Sequence, residues 1–167
     1  MLNCRSVMIK IAVAVFVSFI ITAHAFAPRG YRWTSETVSR LADSRHPHAW
    51  IIRAGMIIYG VILIISTSEI TIVRILIAAY GFGVVLSGIF CVEKHERIHI
   101  FSIYTAGAGL TSAMFLLALR GDIVSIICLI VLLTAELLFN IKTLSLLRGL
   151  SQRIVHLSTL IWLISFQ

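Results

Sequence analysis

The densest group of chemically capable side chains in the sequence is His95-Glu96-Arg97-Ile98-His99, a literal H-E-x-x-H. On a helix its two histidines fall one turn apart on the same face, where both can ligate one zinc ion while the glutamate activates a bound water. That chemistry describes a zinc-dependent membrane hydrolase with His95 and His99 as metal ligands and Glu96 as base. The surroundings favour a plainer reading, a charged loop capping the next helix. Lys94 precedes the motif, Arg97 sits inside it, and no downstream Asp-Gly, His or Glu motif supplies an obvious third ligand.

Other polar residues lie in or beside apolar runs. A carboxylate within hydrocarbon costs at least ~2.5 kcal/mol unless paired, protonated or wetted, so Glu136 is expected to face the protein interior. Arg53, at a comparable depth, is its expected partner, and Asn140 one turn later can share the site. His46 and His48 flank Pro47 and could add to a metal shell, although alone they read as solvated loop residues. His24 and His156 lie on different apolar runs but toward one face, which leaves a weak case for haem. Ser35 and Ser39 would serve as nucleophiles only if the fold brought them beside His99.

The elements that must position these residues follow from composition. With 59% hydrophobic and 13% charged residues among 167, and a mean hydropathy of +1.02, the chain lacks the polar cover of a soluble domain. It reads as an all-α integral membrane protein, a single domain over 1–167 built as a compact bundle of six transmembrane helices. Runs long enough for ~30 Å of hydrocarbon lie near 7–27, 50–67, 72–91, 99–119, 123–141 and 150–166. No period-2 alternation supports a β-barrel, and no internal repeat supports an inverted-repeat transporter.

These spans put both termini on one side together with short turns at 68–71 and 120–122. The other side receives the polar segment 28–49, the 92–98 loop and the 142–149 connection. All six histidines and ten of the fourteen Lys and Arg residues fall toward that second side. The charge count places it in the cytoplasm, whereas the signal-like N-terminus, with Arg5, Lys10 and Ala23-His24-Ala25, argues the reverse. The +7 net charge flanks the spans, where it faces lipid phosphates, so nucleic acid is not an expected partner.

Within 28–49, Thr34 to Leu41 is expected to form a short amphipathic helix, with Trp33 and Trp50 as interface anchors. Ala79, Gly83 and Ser87, and Thr105, Gly109 and Ala113, give the third and fourth spans stripes of small residues for close packing. Cys4, Cys91 and Cys128 have neither metal-type spacing nor a disulfide pattern.

Several stretches resemble a prokaryotic membrane family known as domain of unknown function 998. They are Ser35-Glu36-Thr37-Val38-Ser39-Arg40-Leu41-Ala42, then Ala49-Trp50 with Arg53-Ala54-Gly55, and Ser87-Gly88-Ile89-Phe90. A histidine opening the fourth span, His99, and Gly149-Leu150-Ser151-Gln152-Arg153 leading to Trp162 complete the match. The resemblance implies about six spans with recurrent polar positions on one side, here Ser35, Ser39, Arg53, His99 and Arg153. Cys91 stands where the family usually has proline, and His95 and Glu96 are not part of its pattern.

The resulting expectation is a multi-pass protein of the prokaryotic inner membrane with an Arg- and His-lined pocket. Ser35, Ser39, Arg53, His99, Glu136 and Arg153 would line it, Arg53 and Arg153 clamping a lipid headgroup or small anion while His99 donates or transfers a proton. Membrane lipids are the expected partners and no cofactor is expected, with zinc at His95 and His99 as the alternative. A third reading is an assembly partner in a homo-oligomer or larger membrane complex, docking through its small-residue stripes.

Overall fold

In the computed structural model, which describes residues 4–67 and 71–166, helices account for nearly all of the chain. No strand occurs among the described residues. The α-helices are α1 (Cys4–Ala25), α2 (Val38–Leu41), α3 (Ala49–Ser66), α4 (Ile72–Ile89), α5 (Val92–Ala118), α6 (Ile123–Asn140) and α7 (Arg148–Ser165), with a 3-10 helix at Lys142–Leu147. Five of them, α1, α3, α4, α5 and α6, are long and apolar enough to cross a membrane. The last, α7, matches them in length, but Arg148, Gln152, Arg153 and His156 make its first half polar. The expected turn at 68–71 lies largely outside the described residues, as do the side chains of Cys4 and Arg5.

Two expected boundaries need correction. The stretch 92–98 is no loop but the first turns of α5, which runs on from Cys91 and is broken only at His95, where φ −139° and ψ 51° are not helical. The helix expected from Thr34 shrinks to the single turn of α2, because Thr34 to Glu36 form a turn and Thr37, although extended, gives no side-chain cap.

Each long helix packs on its sequence neighbour, α1 on α3, then α3 on α4, α4 on α5, α5 on α6 and α6 on α7, and α7 returns to α1. The reversal between α5 and α6 needs only Leu119 to Asp122. Gly121 takes φ +83°, which costs a residue without Cβ nothing, and Asp122 accepts a hydrogen bond from the Ser125 amide at 2.8 Å to start α6.

Aromatic and hydroxyl contacts hold the interior. Phe16 of α1 stacks on Tyr59 of α3 at 4.5 Å between centroids, and the Tyr59 hydroxyl pairs with that of Tyr80 in α4 at 3.1 Å. Trp162 of α7 donates its indole N–H to Ser125 Oγ at 2.7 Å, and Ser158 donates to the Cys128 carbonyl at 2.8 Å. Each of these buried polar groups thereby has a partner, which low-dielectric surroundings demand. Cys91 and Cys128 are both buried and reduced.

The small-residue stripe of α4 meets α5. A Cβ on Gly83 would stand 2.5 Å from the Ser102 carbonyl oxygen and 2.6 Å from the Ala106 amide nitrogen, so only glycine allows this approach. Ser87 and Ser102 exploit it, their hydroxyls meeting at 2.8 Å across the same interface.

Gly83→Val is therefore expected to destabilise the fold by roughly 1–3 kcal/mol through overpacking. Gly107→Ala, where an added Cβ meets nothing within 4 Å, is expected to be neutral. Reversible unfolding in mixed detergent measures both, and equal behaviour of the two variants would contradict this account of the α4–α5 contact.

Candidate functional site

A helix leaves its last carbonyls without intrahelical donors, and α4 ends with three in a row that are supplied from its neighbours. Arg53, in the second turn of α3, donates from Nε to the Gly88 carbonyl at 2.9 Å and from Nη2 to the Ile89 carbonyl at 2.8 Å. His99 of α5, only 3% exposed, donates from Nδ1 to the Phe90 carbonyl at 2.8 Å. A carbonyl only accepts, so this bond places a proton on Nδ1. The guanidinium charge also opposes the negative end of the α4 dipole, a contribution of roughly 0.3–1 kcal/mol. Gly88 keeps α3 close enough for this reach, since a Cβ there would stand 2.9 Å from the Arg53 carbonyl oxygen.

A second centre forms where α7 begins. Arg153 Nη1 donates to the carbonyls of Glu36 at 3.0 Å and Gly149 at 2.8 Å. Its Nη2 donates to the Tyr31 hydroxyl at 2.7 Å and to His24 Nε2 at 2.7 Å. His24 can accept because its Nδ1 donates to the Ile20 carbonyl at 2.8 Å, which fixes the neutral tautomer. Tyr31 in turn donates toward the Thr37 carbonyl at 3.1 Å. Burial pushes the Tyr31 phenol above its ordinary value against the lowering effect of Arg153, so it stays a donor at neutral pH. The rings of Tyr31 and Trp33 also face the guanidinium, 6.0 and 5.9 Å from their centroids.

The rest of the Gly149 to Arg153 stretch grips the same segment. Gln152 accepts from the Val38 amide at 2.6 Å and donates to Ser39 Oγ at 3.2 Å, and the Leu150 amide donates to the Thr34 carbonyl at 2.9 Å. Gly149 lies directly against the backbone, where a Cβ would come within 2.5 Å of the Trp33 carbonyl oxygen. The polar segment is thus held to α7 by its main chain.

Asp43, 1% exposed, closes the other end of the segment in a bidentate pair with Arg45, whose amide also donates to the carboxylate at 2.9 Å. The hydrogen bonds and charge of Arg45 hold the Asp43 carboxyl well below the usual carboxylate range. His46 Nε2, just beyond, is a buried polar atom without a hydrogen-bond partner.

The expected pocket residues therefore do not converge. Arg53 and Arg153 direct their hydrogen bonds at the chain's own carbonyls. Ser39 serves Gln152, and Ser35 makes only a long local contact to the Arg32 carbonyl at 3.5 Å. Neither serine bonds to His99; Ser102 donates to the His99 carbonyl, away from the ring. The expected Arg53–Glu136 pairing is not formed. Glu136 is half-buried on α6, has no ion pair among the described residues, and receives only the Asn140 amide on its carbonyl at 2.8 Å.

In the H-E-x-x-H stretch the break at His95 separates the expected ligands. His95 is exposed with its ring edge-on to Phe90, whereas His99 is buried under the same residue's carbonyl. Among the described residues no group of three His, Cys, Asp or Glu side chains could hold a metal ion. For haem, His24 already has both ring nitrogens engaged, and His156 packs edge-on against Phe16.

His24, Tyr31, Gln152, Asp43 and Arg45 are structural participants that sequence reasoning left out of the site. The stretch from Gly149 to Arg153 carried the one available signal for the first three. What faces outward at this end is mostly basic: Arg29, Arg32, Arg40, Arg45, Lys94, Arg97, Lys142 and Arg148 are all exposed, against the exposed acids Glu93 and Glu96.

A model of the family described as Protein of unknown function (DUF998) matches residues 10–166. No curated protein and no solved structure matches the chain.

Arg153→Lys is expected to lower stability by roughly 1–3 kcal/mol, because an ammonium cannot reproduce the planar fork toward His24, Tyr31 and two carbonyls. Unfolding in mixed detergent reads the loss, and a neutral result would remove Arg153 as the clasp. Asp43 gives a pH test. Its pKa is lowered in the folded state, so its stabilisation is present above the ordinary value of 3.8 and is lost as pH falls toward the folded value. The stability gap between wild type and Asp43→Asn is expected to be full at pH 7 and to narrow below about pH 4. A gap independent of pH would contradict the ion pair.

Proposed function

The chain belongs to the DUF998 family, and we propose that it is a six-span membrane protein whose basic end binds the headgroups of anionic phospholipids. In this reading α7 is the sixth span, its charged first half lies at the interface, and the long helices form one bundle with both termini on the same side. The basic end faces the cytoplasmic leaflet of a prokaryotic inner membrane, as the count of flanking Lys and Arg favours.

The observation that carries the reading is the division of labour among the cations. Two arginines, Arg53 and Arg153, are bound to carbonyls within the protein, while eight Lys and Arg side chains at the same end are exposed. Of the acids in the same segments, Asp43 is paired with Arg45, Glu36 lies 3.7 Å from Arg40, and Glu93 and Glu96 are exposed, so the eight exposed cations outnumber these four acids two to one. Each basic side chain near an anionic membrane surface contributes about 1 kcal/mol, falling off within a Debye length. Guanidinium forks match the phosphate that phosphatidylcholine and phosphatidylglycerol share, and the preference between the two comes from the net negative charge of phosphatidylglycerol, which has no choline cation to offset it.

The test is lipid retention in nanodiscs of phosphatidylcholine doped with phosphatidylglycerol, read by native mass spectrometry. Wild type is expected to retain phosphatidylglycerol preferentially. The variant Lys94→Gln, Arg97→Gln, Lys142→Gln, Arg148→Gln should lose most of that preference, roughly tenfold or more from four surface cations. Equal retention of both lipids by wild type overturns the reading.

A further inference from the structure

Beside this basic end the surface is indented by a groove of about 440 Å³, lined by Ser18, Phe19, Thr22 and Phe26 from α1 and its extension and by His48, Trp50 and Ile51 at the start of α3. Its volume falls within the ~300–1,000 Å³ of small-molecule sites. The lining is apolar for a specific reason. Ser18 donates its hydroxyl to the Ala14 carbonyl at 2.8 Å and Thr22 donates to the Ser18 carbonyl at 2.8 Å, so both turn their polar atoms back onto their own helix. Ser18, Thr22 and Phe26 recur every fourth residue and are exposed, which places the groove on the outer face of α1. Phe26 and Trp50, 52% and 63% exposed, stand at its sides.

One end of the groove is bordered by an excess of positive charge. Phe26 and His48 close that end with ring centroids 5.0 Å apart. Arg29 follows Phe26 by three residues and Arg45 precedes His48 by three, so the backbone of each lies within about 11 Å of the rim. The flanking stretches 26–32 and 43–53 hold four arginines and one acid; Arg45 is paired with that acid, Asp43, and Arg53 with the α4 carbonyls, which leaves Arg29 and Arg32 exposed near the rim. An apolar channel on a membrane-facing helix, ending in cations, is complementary to an acyl chain with an anionic head.

We propose that this groove seats one acyl chain of an anionic phospholipid drawn from the surrounding bilayer, its phosphate held at the rim by Arg29 and His48. The inference rests on the proposed preference of the basic end for anionic lipid and assigns it a place. The bilayer is the source because the groove opens laterally on α1, a helix able to cross the membrane.

The test uses the full chain in phosphatidylcholine nanodiscs containing phosphatidylglycerol or additional phosphatidylcholine with brominated acyl chains, which quench nearby tryptophan. Quenching of Trp50 is taken as the difference from a matched Trp50→Phe chain. Brominated phosphatidylglycerol is expected to half-saturate that quenching at a mole fraction roughly fivefold lower than brominated phosphatidylcholine. Ser18→Phe and Thr22→Phe, both at exposed positions that fill the channel, should abolish the difference. Arg29→Gln should remove the preference while leaving quenching by phosphatidylcholine unchanged.

Equal quenching by the two lipids in wild type, or a difference that survives both filled variants, overturns the groove assignment. If phosphatidylglycerol retention by the whole protein persists in that case, the groove alone is refuted. If retention fails as well, the basic-end reading falls with it.

Discussion

Three successive carbonyl oxygens at the end of α4, on Gly88, Ile89 and Phe90, must find donors outside their own helix, and this requirement organises the neighbouring elements. An unmade hydrogen bond at a buried backbone group costs roughly 1–3 kcal/mol, more than a typical made bond returns. Arg53 answers from α3 and His99 from α5, so the end of one helix fixes the azimuth of two others. The close approach at Gly83 and the Ser87–Ser102 pair continue the same contact along α4 and α5.

The start of α7 solves an equivalent problem for a segment that has almost no regular structure. Between Ala25 and Ala49 only the turn Val38–Leu41 is helical, so its backbone groups need partners from elsewhere. Gly149, Leu150, Gln152 and Arg153 provide them. A guanidinium suits this task because its planar fork matches carbonyl oxygens as well as it matches phosphate. An arginine with its donors committed in this way is a structural member of the fold.

The helical class and the positions of most long helices were legible from hydropathy alone, since the length needed to cross hydrocarbon sets where apolar runs start and stop. The runs 72–91 and 123–141 correspond to Ile72–Ile89 and Ile123–Asn140. Depth along a helix can be counted, but azimuth cannot, and that is why Arg53 and Glu136 looked like partners. In the fold α3 packs on α1 and α4, while α6 packs on α5 and α7. Polar residues that matter were also visible as residues; their roles were not, because their partners are main-chain carbonyls that leave no trace in side-chain identity. The break at His95 was equally hidden, as nothing in His95-Glu96-Arg97-Ile98-His99 opposes a continuous helix.

The clasp around Arg153 joins residues separated by 113 to 129 positions. Synthesis runs from the N-terminus at ~5–20 residues per second, so His24, Tyr31 and Ser39 emerge on the order of ten seconds before their partners. During that interval the 26–48 segment has no α7 to hold its backbone, whereas α1, α3 and α4 can already pack together. The 26–48 segment is therefore closed by α7, whose residues are made after those of α1, α3 and α4.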